Sequence, residues 1–296
     1  MNCGHVALIG RPNVGKSTLM NHLLGQKLSI TSRKPQTTRH RIIGIKTTAA
    51  GQAIFMDTPG MHQEEKKQLN RYLNKTADST LLGVDLVVWL LDGLYWHEFD
   101  ERIIKKLENA ALPVILVINK IDKIKDKQLL PDFLGKAAEK FPFKQIIPVS
   151  ALKNTNLLQL EQQIMDLLPE AAPVYPEEQI TDRSERFFAA EIIREKLTRR
   201  LGDELPYAST VEIELYQEQP DITRIYATIW VERSSQKSIV IGKQGEMLKK
   251  IGTDARIDIE KLIGSKVYLQ VWVKVKKGWS DNERALLSLG FKDTPE

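Results

Sequence analysis

The chain has 296 residues, 42% of them hydrophobic and 27% charged, with a formal net charge of +5. That length and apolar content support one large or two ordinary domains, and exclude a disordered or low-complexity chain. A single cysteine, Cys3, excludes an internal disulfide framework and a Cys-rich metal site, and suits a reducing compartment. No basic-then-apolar leader opens the chain, and the longest apolar run, Leu81 to Leu91, is too short for a bilayer span, so a cytoplasmic protein is expected. The basic balance favours a polyanionic partner without naming one.

In chain order, the apolar run Val6 to Ile9 reads as a buried strand, and Thr18 to Leu24 as a helix. Between them stands Gly10-Arg11-Pro12-Asn13-Val14-Gly15-Lys16-Ser17, a match to the phosphate-binding loop G-x-x-x-x-G-K-[ST]. The glycines let backbone N–H groups turn inward on one anion, and the helix N-terminus adds partial positive charge. Lys16 is placed to reach the β- and γ-phosphates, Ser17 to ligate Mg²⁺, and Thr18 to lie beside the nucleotide.

Ser29 to Arg41 is polar and basic, the composition of a segment that orders on a nucleoside triphosphate. Its core, Gln36-Thr37-Thr38-Arg39-His40, is the expected switch. A threonine hydroxyl there completes the Mg²⁺ shell, with Thr38 the first choice and Thr37 the second. Arg41 to Thr48 and Gln52 to Asp57 read as strands joined across Ala49-Ala50-Gly51 into an edge hairpin. Asp57-Thr58-Pro59-Gly60 closes it: Asp57 would hold Mg²⁺ through water, and the Gly60 N–H would sense the γ-phosphate.

Further strands are expected at Leu86 to Leu91, Val114 to Ile118 and Ile146 to Val149, with helices at Asp100 to Ala110 and Asn156 to Leu168. This alternation predicts an α/β domain, a mostly parallel sheet with helices on both faces. Asn119-Lys120-Ile121-Asp122 follows a strand. A carboxylate at Asp122 accepts from both N1–H and N2–H₂ of guanine, whereas adenine would leave it unpaired. Asn119 would tie this loop to the phosphate loop, and the Lys120 stem would lie over the purine. The backbone of Ser150-Ala151-Leu152 would meet the base O6. The site therefore points to GTP and Mg²⁺.

Three prolines between Pro169 and Pro176 mark a change of domain. We expect a first domain over 1–172, a linker over 173–180 and a second domain over 181–296. The second domain reads as helix 182–201, strands 209–216 and 224–232, a pair of helices about a glycine turn, strand 266–276 and a short terminal helix. The turn is Gly242-Lys243-Gln244-Gly245, a G-x-x-G between two helices, and the element order is that of a type II KH module. Its glycines let backbone approach phosphate, Lys243 and Lys249 add charge, and Ile239, Val240 and Ile241 offer an apolar wall for bases. From Lys243 to Lys277 there are nine Lys or Arg against four Asp or Glu. Phe187, Phe188, Ile192 and Ile193 are expected to pack into the domain core rather than face a membrane.

The runs G-R-P-N-V-G-K-S, T-T-R and D-T-P-G resemble the TRAFAC-class GTPases, and among them the Era/MnmE/Der group. With the KH module added, and with Trp272 to Val275 and Gly278 to Arg284, nearly the whole chain resembles the Era family. MnmE and Der match its first half alone. Met61 stands where Ras-type enzymes carry the water-orienting glutamine, so slow intrinsic hydrolysis is expected. His62 reads as a loop residue rather than a general base. The resemblance implies that Asn13 ligates K⁺, which would neutralise transition-state charge. It also implies binding of the 3′ region of 16S rRNA, a role in biogenesis of the 30S subunit, and peripheral association with the inner membrane. A monomer is expected. Three rivals stay open: an RNA-modification GTPase, a nucleotide-gated RNA-binding module with little hydrolysis, and a membrane-trafficking GTPase.

Overall fold

The computed structural model describes residues 1–32, 34, 37–59, 68–202 and 205–291. The chain divides into two compact units. One comprises Met1–Thr31, Thr38–Gln63 and Leu73–Asp182, the other Ser32–Thr37, Glu64–Tyr72 and Arg183–Glu296.

The first unit carries six strands: β1 (Asn2–Ile9), β2 (Ile42–Thr48), β3 (Gly51–Asp57), β4 (Leu86–Asp92), β5 (Val114–Asn119) and β6 (Gln145–Pro148). They lie in the order β2-β3-β1-β4-β5-β6. All neighbours are parallel except β2 and β3, which form the expected antiparallel hairpin at the edge. Helices α1 (Lys16–Leu24), α3 (Glu98–Ala110), α4 (Leu129–Ala138) and α5 (Leu157–Leu167) connect the strands, and α2 (Gln68–Ser79) belongs to this unit from Leu73 onward. Of these, α2 and α4 have no counterpart among the expected helices. A parallel strand covered on both faces needs a continuous apolar run, which explains Leu86 to Leu91, every residue of it buried. Because β1, β3, β4, β5 and β6 run the same way, the loops after β1, β3, β5 and β6 gather at one edge. That edge is where open α/β sheets bind ligands.

Residues 173–181 are not a free tether. Gln52, fully buried on β3, accepts hydrogen bonds from the backbone N–H of Val174 (2.9 Å) and Tyr175 (3.0 Å). Its amide donates to the Tyr175 carbonyl (2.8 Å) and to Thr47 Oγ1 (2.9 Å). Further along, the Ile45 N–H donates to the Ile180 carbonyl (2.8 Å), and Thr181 Oγ1 to the Ile43 carbonyl (2.7 Å). The prolines make this segment irregular, and these bonds strap it across the outer side of β2, covering an edge that would otherwise be open.

The second unit contains α6 (Glu185–Arg200), β7 (Ser209–Gln217), β8 (Thr223–Val231), α7 (Ser234–Ile241), α8 (Glu246–Ile263), β9 (Val267–Val275) and α9 (Glu283–Ser288). Strand β8 is central, antiparallel to β7 and parallel to β9. Alternation is strict along β8: Ile225, Ala227, Ile229 and Val231 are fully buried against the helices, and the intervening residues face the other way. Ile192, Ile193 and Leu197 of α6 join that core, and Phe188 is buried too, so α6 is the core helix expected. Among the described residues no helix is long and apolar enough to cross a membrane.

Replacing Gln52 with leucine would leave the N–H groups of Val174 and Tyr175 without their acceptor and the Tyr175 carbonyl without its donor. We expect Gln52→Leu to cost about 2–4 kcal/mol in chemical denaturation and to open residues 173–181 to proteolysis. Protease resistance equal to that of the parent chain would remove the strap.

Candidate functional site

The loop after β1 is built from backbone conformations that most residues avoid. Gly10 has φ 141°, Asn13 φ 64° and Gly15 φ 108°. A Cβ on Gly10 would lie 2.5 Å from the Leu90 carbonyl oxygen, and one on Gly15 would lie 2.2 Å from the Asn119 amide. Both glycines are thus required by shape as well as by φ. Helix α1 begins at Lys16 without a side-chain cap, so its first N–H groups remain available to an anion.

Lys16 Nζ folds back onto the carbonyls of Gly10 (2.9 Å) and Arg11 (3.1 Å). Burial lowers its pKa from 10.5 to about 8, with Asp57 acting against the shift. Asp57, at the end of β3, is fully buried, and burial raises its carboxyl pKa despite the Ser17 hydroxyl and the Lys16 charge. Ser17 Oγ donates to Asp57 Oδ2 at 2.6 Å and stands 2.9 Å from Thr38 Oγ1, which also donates to Asp57 Oδ2 at 3.4 Å. Asp57 Oδ1 is buried with no donor in hydrogen-bonding geometry. Two hydroxyls converging on a buried carboxylate with a spare oxygen make a hard-oxygen donor set, which fits Mg²⁺.

The structure separates the two threonines. Thr37 Oγ1 is engaged with the Lys34 carbonyl (2.6 Å) and Ser32 Oγ (2.7 Å), and the Thr37 carbonyl accepts from Arg194, all within the second unit. Thr38 alone turns to Ser17 and Asp57. Arg39, part of the expected switch, is 1% exposed; His40 is half-buried. Gln36, Gly60, Met61 and His62 lie outside the described residues.

The base-side loops interlock. Asn119 Nδ2 donates to the Val14 carbonyl (2.8 Å), and Asn119 Oδ1 accepts from the Ala151 N–H (3.0 Å). One side chain therefore ties three loops together. Lys120 Nζ bonds the Asn13 carbonyl (2.5 Å) and Asp92 Oδ2 (2.6 Å), and Lys120 itself takes φ 63°. Asp122 is exposed, and its Oδ1 accepts from Ser150 Oγ at 2.5 Å, which aims the carboxylate. Thr18 is half-buried just inside α1. The Thr58 hydroxyl donates to the Leu8 carbonyl (3.2 Å) in a residue 2% exposed, and Pro59 after it is buried, so this part of the motif meets its surroundings through backbone. Leu152 presents an exposed side chain, which leaves its backbone for the contact expected of it.

A pair that the sequence reading missed anchors the phosphate loop. Arg11 Nε lies 3.2 Å from Asp100 Oδ1, a carboxylate with no exposure at the start of α3, and its guanidinium stacks 5.4 Å from the Tyr95 ring. No motif announces Asp100; it reads as an ordinary helix-start acid, bonding the His97 N–H at 2.8 Å.

In the second unit, the G-x-x-G turn links α7 to α8. Gly242 takes φ 72° with ψ −179°, and a Cβ there would lie 2.7 Å from Met247 Cβ; Gly245 takes φ 80°. Gln244 is also left-handed, at φ 51°. Lys243 and Lys249 are exposed, as is Ile239; Ile241 is half-buried. Val240, expected in the apolar wall, is fully buried in the core because it falls on the inner side of α7. Beyond the turn runs a groove of about 390 Å³, lined by Gly245 of the turn, by Leu248, Lys249, Gly252, Thr253 and Arg256 of α8 and by Leu269, Gln270 and Val271 of β9. Five of these α8 positions repeat every three or four residues from Gly245, one helix face, a pattern present in the sequence but not used.

Two predictions follow from this geometry. Asp57 holds its proton more tightly folded than unfolded, so its contribution disfavours folding increasingly as pH rises above its ordinary value of 3.8. Asp57→Asn is expected to melt higher than the parent chain at pH 7 in nucleotide-free, Mg²⁺-free buffer, with the gap closing toward pH 3.5; a lower melting temperature at pH 7 would contradict this. Asp122→Asn should lose guanine nucleotide affinity about a hundredfold or more and gain affinity for xanthine nucleotides, whose C2 carbonyl accepts from the amide. Retained GDP affinity in equilibrium binding would remove Asp122 from base reading.

Comparison with known proteins agrees with this architecture. Residues 5–120 match the family model described as 50S ribosome-binding GTPase, and residues 204–280 match the KH domain. GTPase Era of Marinobacter nauticus is 56% identical over 291 residues, covering 98% of this chain and 95% of that protein. GTPase Era of Vibrio vulnificus is 52% identical over 294 residues, covering 99% and 92%. Two crystal structures superpose over 98% of this chain and 99% of theirs. A variant of Aquifex aeolicus Era bound to GDP·AlF4⁻ gives a TM-score of 0.95 at 39% identity. Era in complex with MgGDPNP and nucleotides 1506–1542 of 16S ribosomal RNA gives 0.94 at 40%. With the G-x-x-x-x-G-K-S loop, the N-K-x-D loop and a KH module on one chain, and this similarity along nearly its full length, the chain belongs to the Era family of GTPases.

Proposed function

We propose that this chain is a GTP-hydrolysing, RNA-binding protein that engages the 3′ region of 16S rRNA through its KH module and acts in biogenesis of the 30S subunit. The observation that carries the reading is the coexistence of two built sites. One is a loop whose buried Lys16 and Asp57 call for phosphate and Mg²⁺, and the other a left-handed G-x-x-G turn opening into a groove. Relatives that match along nearly the full chain carry the name GTPase Era, and one related Era structure holds MgGDPNP together with 16S rRNA nucleotides.

In this reading residues 1–172 form the GTPase domain, 173–180 the linker and 181–296 the KH domain. Gly10, Asn13, Val14, Gly15 and Thr18 surround the phosphates through backbone, and Lys16 meets the β- and γ-oxygens. Ser17 and Thr38 ligate Mg²⁺, and Asp57 holds it through water. The bound Mg²⁺ supplies charge neutralisation for a loose phosphoryl-transfer transition state. Gly60 contributes its N–H to the γ-phosphate. Asn119, Lys120 and Asp122 select guanine, with the Ser150 to Leu152 backbone at O6. Asn13 ligates K⁺ near the transferring phosphoryl group. Gln36 to His40 act as the switch, and Ile239, Ile241 and Gly242 to Gly245, with Lys249, contact RNA. A cytoplasmic monomer that associates peripherally with the inner membrane completes the reading on family resemblance.

The test is crosslinking of the protein to cellular RNA with sequencing, run beside Lys243→Glu/Lys249→Glu. Crosslinks concentrated at the 3′ end of 16S rRNA and reduced about tenfold or more in the charge-reversed variant are expected. Scattered crosslinks, or crosslinks unchanged in the variant, would overturn the KH reading and leave the GTPase. Separately, turnover is expected to be slow and to rise in K⁺ over Na⁺; equal rates in the two salts would remove the role of Asn13.

A further inference from the structure

The KH sheet has two faces, and among the described residues the helices cover one. On the other, β8 carries Arg224, Tyr226 and Trp230, with Thr228 fully buried between them, and β9 carries Tyr268, Gln270, Trp272 and Lys274, by the two-residue alternation that buries Ile225, Ala227 and Ile229 on the opposite side. Their registers place Arg224 beside Tyr268, Tyr226 beside Gln270 and Trp230 beside Lys274. Tyr226 meets Trp272 edge-on at 5.6 Å and Tyr268 at 6.3 Å. Cations flank the rings: Arg224 lies 5.9 Å from the Tyr268 centroid, and Lys274 and Lys276 lie 5.6 and 5.7 Å from that of Trp230. Tyr268 is 46% exposed, and Tyr226, Trp230 and Trp272 are half-buried.

We propose that this aromatic and cationic sheet face is a second RNA-binding surface, on which single-stranded bases leaving the G-x-x-G groove stack against Tyr268 and Trp272. The inference rests on the RNA-binding reading of the groove. Continuity favours it: β9 is an edge strand, and Gln270, between Tyr268 and Trp272, is also a groove-lining residue. A strand following the groove therefore meets the face by passing over one residue. Charge favours it as well. The acids on this face are engaged internally, Glu214 with Lys274 and Thr228 (2.7 Å each) and Glu212 with the Trp230 indole N–H (2.7 Å). Among the described residues, Arg224 and Lys276 bond neutral groups, Gln219 and Ser288, which leaves their charge for phosphate. Edge-on ring pairs with cations interleaved make a stacking platform of the kind that sheet-based RNA-binding modules use. A protein-docking face would favour a dry apolar centre with a charged rim, whereas here cations flank the rings themselves.

The test uses the full chain and two single-stranded RNAs with the sequence of the 16S rRNA 3′ end, nine and eighteen nucleotides long, in fluorescence-anisotropy titrations. Tyr268→Ala and Trp272→Phe/Tyr268→Ala are expected to weaken the longer RNA about tenfold and to change the shorter one less than twofold. Lys243→Glu should weaken both RNAs. Ultraviolet crosslinking of the unmutated chain to the longer RNA, with peptide mapping, should mark β8 and β9 face residues and reads the face without any variant. Equal effects of the face variants on both RNAs, or no crosslink to β8 and β9, would overturn the proposal; a protein or lipid partner for the face would give that result. If Lys243→Glu weakens neither RNA, it is the groove reading that fails, and the face variants then show whether RNA binds the sheet alone.

Discussion

The architecture of the first unit depends on two buried charges that nothing within the chain fully balances. Lys16 is buried deeply enough to bring its pKa down to about 8, and Asp57 deeply enough to push its carboxyl upward, each against the attraction of the other. A chain that only needed to fold would gain by neutralising both. What keeps them is the loop geometry around them: glycines at positions where any Cβ would strike Leu90 or Asn119, and a helix start left uncapped. Phosphate oxygens and a divalent cation supply the missing partners, so ligand binding relieves a cost that folding has already imposed. The same logic explains Asn119, whose amide joins the phosphate loop to the two base-side loops and makes one site of segments far apart in sequence.

The second unit solves a different problem with related means. An extended polyanion needs close backbone approach and diffuse positive charge rather than one deep pocket. Left-handed residues at Gly242, Gln244 and Gly245 provide the approach, and exposed Lys243 and Lys249 the charge. Strand β9 then separates core from surface by alternation alone, Val267 and Val273 inward, Tyr268 and Trp272 outward. One strand can so line the groove with its edge and offer rings on its open face.

Much of this was legible in the sequence because it is local. The phosphate loop, the edge hairpin, the guanine loop, α6 as a core helix and the helix–turn–helix about Gly242 all announce themselves through turn residues and periodicity. What escaped was set by tertiary partners. Val240 lies in an apolar triplet in which only the helix phase decides that Ile239 faces out, Ile241 packs at the core's margin and Val240 faces fully in. Thr58 sits inside a motif, yet its hydroxyl is claimed by Leu8 across the sheet. The strap made by 173–181 depends on Gln52, more than a hundred residues earlier and an unremarkable polar residue in a strand. Asp100 is an ordinary helix-start acid until Arg11 arrives beside it. In each case the deciding contact spans a sequence distance that no local pattern encodes.

The central claim, that burial lowers the pKa of the phosphate-loop lysine and a bound phosphate reverses that shift, can be read directly as protons. Calorimetric titration of GDP into the nucleotide-free chain without Mg²⁺, at pH 8 in two buffers of different ionisation enthalpy, gives the number taken up on binding. A lysine titrating at about 8 is half protonated there, while the GDP phosphates are already ionised, so uptake of about half a proton per nucleotide is expected. Heats that do not depend on the buffer at pH 8 would mean that Lys16 is already fully charged, and would contradict the account.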